Sequence, residues 1–342
     1  MKAYFIENIA ALIDNPQPLR LIDTPVPVPG KDEVLIKVTA CGVCHTELDE
    51  IEGRTPPPAL PVIPGHQVIG WIAERGSGVT DFQLNERVGV AWIASACGEC
   101  PDCRSGRENL CAHFNATGRD VNGGYAEYMT AKTTFIYRIP ENFPDHEAAP
   151  LLCAGAIGYR SLRLSNLIDG QKLGLSGFGA SAHLVLKMVQ WRFPNVKTYV
   201  MARSASERRF ALQLGAVWAG GHSEKTPVLL DAVIDTTPVW QPVLSALENL
   251  RPGGRLVINA IRKEEIDKSA WLNLNYQQHL WSEKEIKSVA NVTRQDVREF
   301  LELAVQIPLR PEVEIYPFED ANRALVELKT GRIRGAKVIQ IT

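Results

Sequence analysis

Short apolar runs broken by polar residues dominate the first 150 residues, and those at 33–39, 68–73 and 87–91 read as strands between Pro- and Gly-rich turns at 25–30 and 56–64. From about residue 146 the period changes. A helical pattern runs to about residue 164, after which strand-like runs at 172–175, 197–201, 231–235, 255–259 and 285–289 alternate with amphipathic stretches such as 180–191. Strands spaced by helices predict βαβ units, whose parallel sheet needs helices over both faces. The tail reads as helices near 293–304 and 319–329 with a last strand at 336–341, returning to complete the first, β-rich domain. The expected class is α/β with two domains, and there is no internal repeat, low-complexity tract or coiled-coil heptad.

Composition changes this picture little. The 342 residues are 45% hydrophobic and 22% charged, ordinary for two domains with separate cores, and the net charge of -2 leaves no footprint for nucleic acid or an anionic membrane. The first residues lack the apolar region of a secretory signal, and no run approaches the roughly 18 residues of a membrane span. A cytoplasmic protein is expected.

The cysteines change it most. Cys97, Cys100, Cys103 and Cys111 stand at C-x2-C-x2-C-x7-C spacing, with Gly98, Pro101 and Gly106 bending the backbone between them. That spacing predicts a tetrahedral structural zinc site. Disulfides are the bland alternative, but thiols two residues apart are poorly placed to bridge each other and a secretory signal is missing. Cys44 and Cys153 can be joined by His66, which follows Pro64-Gly65, into a second set of two sulfurs and one nitrogen. Three protein ligands leave zinc an open position, the mark of a catalytic site, so two zinc ions per chain are expected. Cys41, the odd thiol, reads as packing.

A glycine-rich turn follows the run at 172–175: Gly177, Gly179 and Ala182 give G-x-G-x-x-A, with Ala180 opening a helix. Such a turn brings backbone amides up to a dinucleotide pyrophosphate, a weak signal alone and a strong one beside two zinc sets.

With these residues in place the chain resembles, nearly end to end, the zinc-dependent medium-chain dehydrogenases, and within them bacterial-type alcohol dehydrogenases. The matching segments are Cys41-Gly-Val-Cys44-His45-Thr46, Pro64-Gly65-His66, the four-cysteine run, Gly123-Gly-Tyr-Ala-Glu-Tyr128, Ala148-Ala-Pro-Leu-Leu-Cys153-Ala-Gly155 and the Gly-rich turn. The resemblance implies a partly open, GroES-like β-barrel catalytic domain at 1–148 and 291–342, with a zinc lobe at 95–113. A Rossmann doubly wound parallel sheet at 149–290 would bind NAD(P), with the active site between the two.

It further implies alcohol dehydrogenase and aldehyde reductase activity on small primary alcohols through a zinc-bound alkoxide, with hydride passing to nicotinamide. Carried over by position, Cys44, His66 and Cys153 hold the catalytic zinc and Glu47 orients the histidine. His45 contacts the pyrophosphate and Thr46 begins a proton relay. Asp49 stands where many relatives have a relay histidine; it reads either as proton acceptor or as an ordinary solvated helix residue. Gln67 replaces the usual glutamate. Trp92 matches a substrate-pocket position, with a core position as the alternative. Asn291 and Val292 line the nicotinamide, and Lys337, with Arg334, stands near the position of a phosphate-binding arginine.

Cofactor choice turns on the end of the second nucleotide strand. Ala202 stands where a carboxylate would bind the ribose diol of NAD, and Arg203 and Ser204 follow, with Arg208 and Arg209 beyond. NADP is therefore expected ahead of NAD, the alternative being that these arginines solvate the next helix. The family habit is a homodimer or homotetramer, for which 255–260 reads as a contact edge. Two other functions stay open: a polyol or secondary-alcohol dehydrogenase, and a catalytically silent NADPH-binding zinc protein.

Overall fold

The computed structural model describes residues 1–307, 309–331 and 335–341. Two compact units emerge: Met1–Cys153 with Thr293–Gln306 and Arg310–Thr342, and Ala154–Val292 with Ile307–Leu309. The sequence reading puts these boundaries at 148/149 and 290/291, a few residues early at each crossing.

In the first unit a seven-stranded sheet orders Val313–Pro317, Ala336–Gln340, Glu33–Val43, Val68–Arg75, Arg87–Val90 and Ile136–Arg138, and Tyr128–Lys132 pairs with Glu33–Val43 off that path. The tail strand Ala336–Gln340 pairs antiparallel with Glu33–Val43, which closes the β-rich unit with the end of the chain. Val34, Ile36, Val38, Val68, Ile72, Val88 and Ile339 are among its buried core. Alternate residues face inward, as a half-buried antiparallel sheet requires.

In the second unit six parallel strands stand in the order Trp218–Gly220, Lys197–Met201, Lys172–Ser176, Leu230–Asp235, Leu250–Ile258 and Glu285–Ser288. This is a doubly wound order, reversing beside Lys172–Ser176, and the Gly-rich turn leaves the carboxyl end of that strand. The runs predicted at 197–201 and 231–235 match closely. The contact edge predicted at 255–260 does not: Leu250–Ile258 lies between two partners, and the edge is Glu285–Ser288, all four residues of which are exposed. An apolar run marks a buried interior strand, so apolarity pointed to the wrong member of the sheet. Among the described residues no helix is long and apolar enough to cross a membrane.

Candidate functional site

Strand Glu33–Val43 delivers Cys44 to the N-cap of helix His45–Ile51. There its Sγ accepts from the Thr46 N–H at 3.3 Å, while its own N–H donates to Glu47 Oε2 at 2.8 Å. This reciprocal capping fixes thiol and carboxylate together. The preceding Gly65 has φ +100°, and a Cβ there would come within 2.4 Å of the Tyr125 ring and 2.9 Å of Cys41 Sγ. Only glycine lets the chain turn His66 into this space. Cys153 breaks the helical run predicted at 146–164 into Asp145–Ala148, a 3-10 turn Ala149–Leu152 and Ala154–Leu164, with its own φ/ψ at -126°/-76°. Periodicity could not reveal that break, because the apolar spacing continues across it.

These three elements bring the second cysteine–histidine set together. His66 Nε2 lies 3.6 Å from Cys44 Sγ and 3.4 Å from Cys153 Sγ, and the three donor atoms are all within 4.8 Å of one another. On the far side of the ring Nδ1 lies 2.6 Å from Glu47 Oε1, and both side chains are sealed from water. Contact with Cys153 and burial push the Cys44 thiol up. Burial opposes charge on His66, yet Glu47 and Cys44 outweigh it and hold the imidazole well above its ordinary range. Two thiols and an imidazole this close fit Zn²⁺, which favours thiolate and commonly has a carboxylate behind its histidine ligand.

The four-cysteine run also closes on itself. Cys97 Sγ is 3.8 Å from Cys103 Sγ and 3.5 Å from Cys111 Sγ, and the N–H groups of Cys100, Cys103 and His113 donate at 3.4 Å to the sulfurs of Cys97, Cys100 and Cys111. Backbone amides of Glu99 and Cys100 draw the Cys97 thiol down to about 6, while burial and the neighbouring thiols push Cys103 up to about 12. The Cys97 thiolate is stabilised and Cys103 resists joining it, a conflict that a bound dication resolves. All seven cysteines are free thiols.

Around the first set the sequence-predicted residues fare unequally. Thr46 is half-buried, and its hydroxyl has no partner among the described residues. His45 is exposed beside it. Asp49 is neither solvated nor free: it is buried, and its Oδ1 accepts from Arg54 Nε at 2.6 Å. A cation five residues away in a turn carries no periodic signal, so sequence could not supply that partner. Glu50, which the sequence reading passed over, is buried with both carboxyl oxygens unpartnered; burial, then Glu47, pushes its carboxyl well up. Gln67 is buried against Gly42, where a Cβ would meet its amide at 2.7 Å. Trp92 is buried in a cluster with Ile93, Ala116 and Phe135, its ring 5.2 Å from Phe114 and its indole N–H unpartnered.

In the second unit Gly177 has φ +81°, and a Cβ there would meet Thr236 Oγ1 at 2.7 Å. Gly179 caps helix Ala180–Arg192, and nothing lies within 4 Å of where its Cβ would stand. Open space at a 13-residue helix N-terminus, with Ala182 buried one turn in, fits a pyrophosphate. At the end of strand Lys197–Met201, Ala202 is buried and its N–H donates to Gly220 O at 2.9 Å. Arg203 is exposed. Ser204 caps helix Ala205–Gln213 in a capping box with Glu207, so its hydroxyl is engaged, and Arg208 donates to the carbonyls of Ala202 and Arg203 at 2.9 and 3.0 Å. His222, also missed, keeps Nδ1 buried without a partner.

Asn291 has φ +57° and accepts from the Val292 N–H at 2.7 Å. Lys337 corrects the expectation of a phosphate ligand: its ammonium is buried, bonded to Glu314 Oε2 at 2.7 Å, to Glu327 Oε2 at 3.2 Å and to the Tyr316 hydroxyl. Inward pleating, set by the pairing with Glu33–Val43, puts it there. Arg334 lies outside the described residues.

Residues 30–141 match the model of the alcohol dehydrogenase GroES-like domain. A probable alcohol dehydrogenase AdhA of Mycobacterium tuberculosis is 45% identical over 329 residues, covering 95% of this chain and 93% of its own. An alcohol dehydrogenase of Geobacillus stearothermophilus is 33% identical over both full lengths. The solved structure of a cinnamyl alcohol dehydrogenase of Sorghum bicolor superposes with a TM-score of 0.85 at 26% identity, covering 99% of this chain and 97% of that one.

Proposed function

The chain belongs to the zinc-dependent medium-chain alcohol dehydrogenase family, oxidoreductases of alcohols and aldehydes, and from that premise we propose a two-zinc, NADP-preferring enzyme of small primary alcohols. The observation that carries this reading is the Cys44, His66 and Cys153 set, with buried Glu47 behind the buried histidine. When bound there, zinc supplies a Lewis acid for an alcohol or carbonyl oxygen, and nicotinamide supplies the partner for hydride.

The chain's own residues do the rest. Glu47 holds the His66 ring by Nδ1 and so aims Nε2 at the two sulfurs. The unpartnered Thr46 hydroxyl, two residues from Cys44, takes the substrate proton and passes it on. Asp49 is a poor next carrier because Arg54 already occupies its carboxylate, so the proton leaves through the cofactor ribose or solvent. Gly177, Gly179 and the first turn of helix Ala180–Arg192 hold the pyrophosphate, with Asn291–Val292 of the same unit as a further cofactor contact. Ala202 gives no acceptor to the ribose diol and Arg203 stands free for a 2′-phosphate.

A homodimer formed along the exposed edge strand Glu285–Ser288 follows from its unpaired backbone and from exposed Trp281, Tyr276 and Ile286 near it. Seven free thiols suit a reducing cytoplasm. The test is reduced-cofactor absorbance with ethanol, butanol, benzyl alcohol and a polyol, in NADP and in NAD, beside zinc analysis. Turnover of the primary alcohols with about two zinc ions per chain supports the reading. Cofactor binding without turnover would instead identify a silent binder, and polyol preference the polyol class.

A further inference from the structure

The chain re-enters the barrel unit between Val292 and Thr293, and hydrogen bonds hold Val292, Thr293 and Arg294 beside that crossing. Asn291 takes a left-handed conformation and accepts from the Val292 N–H at 2.7 Å. Thr293 donates its N–H and hydroxyl to Asp296 Oδ2, both at 2.8 Å, and the Asp296 N–H returns a bond to the Thr293 hydroxyl at 3.1 Å. Arg294 is held from far away in sequence: its backbone N–H and its Nε both donate to Glu108 Oε1, at 2.7 and 3.1 Å. Its guanidinium also lies over Phe135, 5.0 Å from the ring centre.

Glu108 opens the 3-10 turn Glu108–Leu110, between Cys103 and Cys111 of the four-cysteine lobe, and its side chain is only 3% exposed. A buried carboxylate meeting a backbone N–H and a guanidinium makes charge-assisted bonds, so the clamp is stronger than a neutral contact. Its own foothold is the lobe. The residues just before the crossing, 289–292, leave the carboxyl end of strand Glu285–Ser288, and open parallel sheets bind their ligands at those ends.

We propose that Glu108 is a positioning residue for the nicotinamide cofactor, using the four-cysteine lobe as an anchor that fixes the start of helix Arg294–Gln306 and thereby the 289–292 connection joined to it. The proposal rests on the nucleotide-binding reading above. It couples a site read as purely structural to cofactor affinity: loosening the lobe frees the crossing, and the ordering of 289–292 must then come from cofactor binding energy.

The experiment compares Glu108→Ala and Glu108→Gln with the parent, all as two-zinc holoenzyme. Reduced cofactor is titrated by fluorescence, and cofactor KM and kcat are measured across pH. Glu108→Ala is expected to raise cofactor Kd and KM about tenfold while kcat and its pH profile stay within about twofold. Glu108→Gln, which keeps an acceptor for the Arg294 N–H, is expected to recover most of that loss. Should Glu108→Ala fail to fold, Arg294→Ala leaves the lobe untouched and is expected to weaken cofactor binding about threefold. Unchanged cofactor Kd with a lowered melting temperature would reduce Glu108 to a stability contact and overturn the proposal. A parent that binds no cofactor would sink the nucleotide-binding reading itself, and this inference with it.

Discussion

His66 is gripped from both sides: Glu47 Oε1 lies 2.6 Å from its Nδ1, while its Nε2 faces the sulfurs of Cys44 and Cys153 at 3.6 and 3.4 Å. The ring can turn away from neither without leaving a buried carboxylate or two half-buried thiols unmatched. Glu47 also receives the Cys44 N–H, so one carboxylate orients two members of the set.

Glu47→Gln is therefore expected to weaken zinc binding at this set about tenfold, and Glu47→Ala up to about a hundredfold. Competition with a chromogenic chelator measures it. Equal affinities for parent and both variants would mean that the contact is packing only.

The two cysteine sets predict a division of labour. Cys44→Ser should leave one zinc per chain, a near-parental melting temperature and no turnover. Cys103→Ser should lower the melting temperature markedly, because a closed site contributes folding free energy directly. Loss of activity in both variants at parental stability would contradict that division.

Much of this was legible in the sequence, for particular physical reasons. Ligands close in sequence announce themselves by spacing, as Cys97, Cys100, Cys103 and Cys111 do, and glycines announce tight turns, as Gly65 and Gly177 do. What escaped depends on partners that spacing does not specify. Asp49 met Arg54, Lys337 met Glu314 and Glu327, and Arg294 met Glu108 across 186 residues. Each is a charge whose meaning is set by what folding brings beside it. Glu285–Ser288 was legible as a strand, but its place at the edge of the sheet was not, because strand order is set by the fold and not by the run itself.

Cofactor choice is testable at two adjacent residues. NADP should show the higher kcat/KM, by about tenfold if one charge-assisted contact of about 1.5 kcal/mol survives solvation at exposed Arg203. Ala202→Asp with Arg203→Ala should invert the order by supplying a diol acceptor that repels a 2′-phosphate. Steady-state kinetics of the parent favouring NAD tenfold or more, a margin of about 1.4 kcal/mol, would show that Arg203 serves only solvent.

Thr46 and Asp49 should separate on different measurements. Thr46→Ala removes the first proton carrier and should lower kcat by about a hundredfold or more. Asp49→Asn should leave the pH profile of kcat nearly unchanged but cost about 1–3 kcal/mol of stability, because Arg54 loses a buried charged acceptor. A shifted pH profile with intact stability in Asp49→Asn would restore Asp49 to the relay.

His183 sets an acid limit on the nucleotide unit. It is buried in helix Ala180–Arg192 against Phe210, its Nδ1 pairs with Gly179 O at 3.1 Å, and its Nε2 has no partner. Burial draws its pKa from 6.5 down to about 4. The folded state thus binds the proton less readily than the unfolded chain, so His183 costs nothing above pH 6.5 and destabilises progressively as pH falls from there towards 4. The loss approaches about 3 kcal/mol at the lower end, released as the unfolded chain takes up a proton that the fold refuses. His183→Gln keeps a polar side chain on the Gly179 carbonyl and cannot titrate. Its urea midpoints should fall less than the parent's between pH 6.5 and 4, and parallel declines in the two proteins would assign the acid sensitivity to other groups.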